Sequence, residues 1–193
     1  MVLNMATMLN KHINFLSLLL LALFAFPKSN ALPIKDVYSL CKESGVVDFC
    51  LEKIGSNKYI VDARDFNDVF LIAISKFQIW VDIGVHESRS DHFRKVYSDP
   101  IRKPWLAVCE KKYEIASNNV NKAWEVGQKK SKSLTDRTQM SQLTEAGFEA
   151  VLDCDDEWTK DINHSQVSPF VFWYHDVRNL IKIIRVIIRR LNA

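Results

Sequence analysis

A chain of 193 residues fits a single domain, and its 48% hydrophobic content is enough to form a buried core. Only five glycines and five prolines are present, which argues against an all-β sandwich with its many turns. The formal charge of +3 falls to +1 without residues 1–31, because that segment holds Lys11 and Lys28 and no acidic residue. A balance so close to neutral excludes the strong basic footprint of a nucleic-acid-binding protein.

The N-terminal segment has the three parts of a secretory signal peptide. A polar stretch with Lys11 precedes an apolar run at 13–26, and small residues at the end of the segment suit cleavage after Ala31. The alternative is an uncleaved membrane anchor, but the apolar run is short for a span. We therefore predict that residues 1–31 are a signal peptide and that residues 32–193 form the mature domain.

The first cysteine pair predicts a short helical hairpin. Cys41 and Cys50 lie nine positions apart, with Gly45 at their midpoint. A single helix would separate them by about 13 Å along its axis, whereas a disulfide needs Cα atoms roughly 4.4–6.8 Å apart. A turn at Gly45 would bring them together, because glycine tolerates the backbone angles of such a turn. Two short helices at 32–43 and 46–54 are expected, with Asp36 as the cap of the first.

The second cysteine pair also lies symmetrically about a predicted turn, with a wider spacing along the chain. Cys109 and Cys154 lie on either side of a polar stretch at 127–133, and amphipathic sequence flanks that stretch on both sides. Two antiparallel helices joined there would place these cysteines at the same height. Four thiolates on one zinc ion are the alternative, although zinc sites usually use cysteines separated by two to four residues.

Apolar residues recur at three- and four-residue spacing along four further stretches. Asp65 is the expected N-cap of the first long helix, whose periodicity fades after His86, and Pro104 is the expected first residue of the second. The second and third helices are predicted at 104–127 and 135–161, and the fourth carries the apolar stripe from Trp173 to Leu191. The fold class is therefore all-α: an antiparallel, up-down-up-down four-helix bundle that follows an N-terminal short helical hairpin.

Several charged groups invite a functional interpretation, and each has a simpler structural one. Acidic residues at 153–157 suggest calcium, but they lack the glycine turn of a calcium loop. Lysines at 129–132 suit either an acidic polysaccharide or a solvated turn, and basic residues at 182–190 suit either a membrane surface or the outside of the last bundle helix. No nucleophile motif accompanies His175 and Asp176. We predict no catalytic residue, cofactor or metal.

Particular stretches also resemble a known family. They are the spacing of Cys41 and Cys50 near the mature N-terminus, LAVCEKKY at 106–113, AVLDCDDEW at 150–158 and SPF at 168–170. Together they resemble the plant invertase and pectin methylesterase inhibitor family. The resemblance covers essentially all of the predicted mature domain.

That resemblance implies a four-helix bundle with an N-terminal hairpin and the disulfides Cys41–Cys50 and Cys109–Cys154. It also implies a secreted protein without catalysis, which binds a carbohydrate-active enzyme and occludes its cleft. Some cell-wall invertase inhibitors carry a Pro-Lys-Phe motif where this chain has Asp-Arg-Thr-Gln at 136–139. Pectin methylesterase is therefore the expected target and invertase the alternative. A secreted structural or signalling helical protein is the alternative from another class. The expected location is the apoplast or cell wall, with the vacuole as an alternative.

The predicted binding residues lie on the two long helices that the second disulfide would link. Lys112, Lys122 and Glu149 are expected to be exposed there and to meet the target enzyme. The N-terminal hairpin is expected to support stability or to form a homodimer. Asn163 lies in the chain's one N-x-S/T sequon, in a loop where a glycan fits. No contact with nucleic acid is expected, nor with a membrane once the signal peptide is removed.

Overall fold

A computed structural model describes residues 31–129, 133–160 and 168–192 of the chain. The described residues belong to one compact unit. Residues 1–30 of the predicted signal peptide, Lys130, Lys132 and the sequon at Asn163 lie outside the described residues.

Every regular element in the described ranges is helical, which confirms the all-α prediction. The elements in chain order are α1 (Ile34–Ser44), α2 (Val47–Cys50), a π-helical turn (Leu51–Gly55), a 3-10 turn (Ile60–Asp62), α3 (Phe66–Arg89), α4 (Asp91–Val96), α5 (Arg102–Gly127), α6 (Leu134–Thr159) and α7 (Val171–Asn192). The four long helices α3, α5, α6 and α7 form the bundle, and α1 and α2 form the N-terminal hairpin.

Side-chain contacts show that consecutive bundle helices are antiparallel, because the residue numbers in successive pairs change in opposite directions. Between α3 and α5 the pairs are Gln78 with Asn121 and Asp82 with Ser117. Lys112 of α5 pairs with Asp153 of α6, and Lys129, two residues past the end of α5, pairs with Asp136 of α6. Between α6 and α7 the pairs are Arg137 with Leu191 and Glu145 with Arg185. The predicted up-down-up-down bundle is therefore confirmed.

The N-terminal hairpin turns at Gly45, as predicted. Gly45 has a φ of 71°, and the Cys41–Cys50 disulfide closes the hairpin with its Cα atoms 5.3 Å apart. The prediction that Asp36 caps α1 is wrong. The backbone N–H of Asp36 already donates to the carbonyl of Pro33, so Asp36 lies inside the first turn and the helix begins earlier.

The hairpin packs on the bundle through both apolar and charged contacts. Val37 and Leu40 of α1, and Ile54 of the π-helical turn that follows the hairpin, are buried in the common core. On the rim, Glu43 forms ion pairs with Arg189 and Arg190 near the end of α7, at 3.2 and 2.9 Å. The same α7 segment that ends the bundle therefore also positions the hairpin.

The ends of the long helices refine the predictions. Asp65 caps α3 as expected, since its carboxylate accepts hydrogen bonds from the backbone N–H groups of Asn67 and Asp68. Pro104 is the third residue of α5 rather than the first. Asp99 accepts hydrogen bonds from the first backbone N–H groups of that segment, so the helix begins before the proline. Proline is tolerated there because N–H groups of the first turn have no partner within the helix.

Helix α3 is long and apolar enough in composition to cross a membrane. In this bundle it packs against both α5 and α7, and Phe70, Ile74, Phe77 and Val81 on it are fully buried. A helix covered on two faces needs apolar residues around most of its circumference, which accounts for its composition.

Candidate functional site

The α5–α6 hairpin presents a continuous outer face, which we call the α5–α6 surface. The Lys112–Asp153 contact fixes the register of the two antiparallel helices. From that register, helical periodicity sets four pairs of residues opposite each other. From one end to the other, these are Lys112 and Asp153, Ile115 and Glu149, Asn119 and Ala146, and Lys122 and Gln142. The surface therefore has an ion pair at one end, a small apolar centre and an exposed lysine at the other end.

The three binding residues predicted from the sequence all lie on this surface, in different environments. Lys122 is exposed, and Glu149 is exposed with its carboxylate 3.8 Å from Arg185 on α7. Lys112 is only partly exposed, because its ammonium contacts the carboxylate of Asp153 at 2.5 Å. Lys112 and Lys122 are ten positions apart, which corresponds to about 15 Å along the helix.

A disulfide and a close helix contact hold the surface rigid. The Cys109–Cys154 disulfide, with Cα atoms 4.7 Å apart, confirms the predicted pairing. The buried indole N–H of Trp158 donates to the Cys109 sulfur at 3.2 Å. Gly147 allows the backbones to approach, since a Cβ there would lie 3.0 Å from a methyl group of Val120. Such a preorganised surface loses little conformational freedom on binding.

Beneath this surface, α5 makes close contacts with α3 and α7 that the sequence did not predict. The ring of Tyr113 packs directly on Gly84 of α3, where an added Cβ would lie 2.1 Å from the ring. Its hydroxyl accepts a hydrogen bond from the indole N–H of Trp173 on α7 at 3.3 Å. Burial raises the pKa of Tyr113 far above its usual value, so the phenol stays protonated. A lone glycine in an apolar helix was the only available signal of this approach.

The acidic side chains at 153–157 make separate contacts and do not converge on one site. Asp153 pairs with Lys112 and Glu157 pairs with Lys160. Asp155 turns inward, where burial raises the pKa of its carboxyl although the charge of Arg178 lowers it in part. Among the described residues, no group of three or more histidines, cysteines or acidic residues could hold a metal ion.

The bundle, the docked hairpin and the two disulfides define a disulfide-linked, all-α helical-bundle protein. No protein-family model matches the chain. The chain is 37% identical over 187 residues to Pectinesterase inhibitor 5 of Arabidopsis thaliana, an alignment that covers 97% of this chain and 99% of that protein. The chain therefore belongs to the plant invertase and pectin methylesterase inhibitor family.

Proposed function

We propose that this protein inhibits a pectin methylesterase by binding it stoichiometrically. The near full-length similarity to a pectinesterase inhibitor carries this proposal, because the alignment spans both the hairpin and the bundle. The protein would act by occluding the enzyme and would perform no catalysis of its own. Location in the apoplast or cell wall follows from such a target, and the predicted signal peptide at 1–31 would deliver the protein there.

The α5–α6 surface is the proposed contact with the enzyme. Its rigidity lowers the cost of ordering on binding. Ile115, which is 38% exposed, and Ala146 offer an apolar centre, while Lys122 and Glu149 offer polar contacts around it. An apolar centre with a polar rim is the usual anatomy of a protein interface.

Two parts of the proposal have separate tests. The N-terminal hairpin carries exposed Ile34 and Tyr38 and is a candidate homodimer surface in addition to its role in stability. Sedimentation of the wild type and of Tyr38→Ser would detect such a dimer and its loss.

Glycosylation of Asn163 predicts a faster gel mobility after glycosidase treatment of protein secreted from plant cells, and an unchanged mobility would contradict it.

Titration into purified enzymes tests the function itself. We expect the protein to abolish pectin methylesterase activity at a one-to-one ratio and to leave cell-wall invertase active, at acidic and at neutral pH. Inhibition of invertase alone would support the alternative target, which the missing Pro-Lys-Phe motif disfavours. Inhibition of neither enzyme would contradict the proposal and favour a structural or signalling protein.

A further inference from the structure

A surface cleft lies away from the α5–α6 surface, between the 3-10 turn and helices α3 and α5. Its volume is about 470 Å³, within the usual range of small-ligand sites. Ala63, Leu71 and Ile72 give it an apolar lining, and the partly exposed indole of Trp124 contributes an aromatic wall. The ring of Tyr59, which is 60% exposed, stands at its edge.

A second hollow adjoins the first and extends it along the surface. The two share Asn57, Tyr59 and Lys76, and the second adds Lys58 and Glu52 among its lining residues. The shared residues make one elongated groove, which we call the 57–76 groove. An elongated groove suits a chain of several small units better than a single compact molecule.

The charged groups of the groove leave two ammonium groups available. Lys53 pairs with Glu52, and Arg64 pairs with Asp68. In contrast, Lys58 and Lys76 form no ion pair with any described residue, and the Lys58 ammonium lies 4.9 Å from the centre of the Tyr59 ring. Lys58 therefore stands against an aromatic ring, and both lysines line the groove with no carboxylate of their own.

The acceptors in the groove are as informative as the lysines. Asp62 lines the first hollow and forms no ion pair in the described chain, so its carboxylate remains available as a hydrogen-bond acceptor. The side-chain oxygen of Asn57 accepts a hydrogen bond from the backbone N–H of Tyr59, which leaves the NH₂ group of the Asn57 amide free to donate. A simple anion would gain nothing from Asp62, whereas a ligand that carries both hydroxyl groups and a carboxylate would use every one of these groups.

We propose that the 57–76 groove binds an oligosaccharide of uronic acids. The apolar C–H faces of the sugar rings would pack on Trp124 and Tyr59, and the carboxylates would meet Lys58 and Lys76. The hydroxyl groups would donate to Asp62 and accept from Asn57. This site is independent of the enzyme contact, and it would let the protein bind an acidic polysaccharide and an enzyme at the same time.

Calorimetry with a defined probe tests this proposal on the full-length mature protein with both disulfides formed. The probe is a trisaccharide of α-1,4-linked galacturonic acid, and the matched control ligand is the same trisaccharide with every carboxyl methyl-esterified. We expect the acid to bind and the ester to bind about tenfold more weakly, because charge-assisted hydrogen bonds are lost. Raising the salt concentration should weaken binding of the acid only.

Variants separate this groove from other basic patches. We expect the double variant Lys58→Met/Lys76→Met to bind the acid about tenfold more weakly. Lys111→Met is the matched control with unchanged binding, since Lys111 lies on α5 about 20 Å along the helix from Trp124. Tyr59→Ala, at an exposed position that does not support the core, should weaken the binding of both trisaccharides.

Three results would overturn the proposal. The first is no binding of the acid, and the second is equal binding of the acid and its ester. The third is unchanged binding by the double lysine variant. If the acid does not bind and the double lysine variant loses inhibition of the enzyme, the groove is a protein contact instead.

Discussion

The N-terminal hairpin and the α5–α6 hairpin are both closed by a disulfide, but their cysteines are 9 and 45 positions apart. The short hairpin turns on Gly45 and packs its apolar residues on the bundle, with Glu43 held by two arginines of α7. The long hairpin instead packs its two helices on each other through Gly147 and Val120. The same covalent link therefore joins a short element that docks on the bundle in one place and two long helices that pack on each other in the other.

Removal of each disulfide in turn should give the largest difference between the hairpins. In the chain-entropy model, the longer loop contributes about 4 kcal/mol to the free energy of unfolding and the shorter one about 2.7 kcal/mol. We therefore expect Cys109→Ala/Cys154→Ala to lower the Tm more than Cys41→Ala/Cys50→Ala does. Replacing both cysteines of a pair leaves no free thiol to form new disulfides. Equal melting temperatures for the two variants would remove the energetic distinction between the hairpins.

Substitution of Gly45 tests whether the short hairpin depends on its backbone turn. A Cβ at this position would meet no atom within 4 Å, so only the positive φ opposes a side chain. We expect Gly45→Ala to lower the free energy of unfolding by about 1–2 kcal/mol. Gly45→Asn should lose less, because asparagine tolerates left-handed backbone better. Thermal melts of the three proteins provide the measurement, and identical values would contradict a strained turn.

The smallest expected effect concerns the charged contact of the hairpin with α7. The hydrogen bond from Arg190 holds the pKa of Glu43 below its usual value of 4.5. A carboxyl with a lowered pKa in the folded state stabilises that state above its usual pKa, and this contribution disappears as the pH falls through the folded value. Because the Glu43 side chain is 40% exposed and its charge is therefore screened by solvent, we expect Glu43→Gln to cost under about 1 kcal/mol at pH 7.

The control for this prediction is the Tm of both proteins measured at low pH. Below the folded-state pKa of Glu43, the wild type and Glu43→Gln should have the same Tm, because both side chains are then neutral. Glu52→Gln, which affects only an exposed pair with the neighbouring Lys53, should change little at either pH. A difference between wild type and Glu43→Gln that persists at low pH would show that packing, rather than charge, carries the contact.

Features encoded within a few residues could be predicted from the sequence. The turn at Gly45, the cap at Asp65 and the placement of Cys41 and Cys50 about Gly45 all follow from local spacing and helical periodicity. The start of α5 was placed too late, because proline is an ambiguous signal anywhere in a first helical turn.

Contacts between distant segments could not be predicted in this way. The approach of Tyr113 to Gly84 and the pairing of Glu43 with Arg190 join residues that periodicity cannot relate. The partner of Lys112 was missed for the same reason. Helical periodicity predicts an exposed Lys112 on α5, but the side chain is only partly exposed, and only the register with α6 shows that Asp153 lies against it. Charged side chains near a helix interface are therefore less available for binding than their sequence pattern suggests.

We propose that the target enzyme contacts the α5–α6 surface and not the N-terminal hairpin. Lys122 and Lys42 are matched probes, because both are exposed and neither forms an ion pair with the described residues. The decisive measurement is the inhibition constant of Lys122→Glu and of Lys42→Glu against the same pectin methylesterase. We predict that Lys122→Glu weakens inhibition by about tenfold or more, whereas Lys42→Glu leaves it unchanged. Loss of inhibition in folded Lys42→Glu together with full inhibition by Lys122→Glu would contradict the claim.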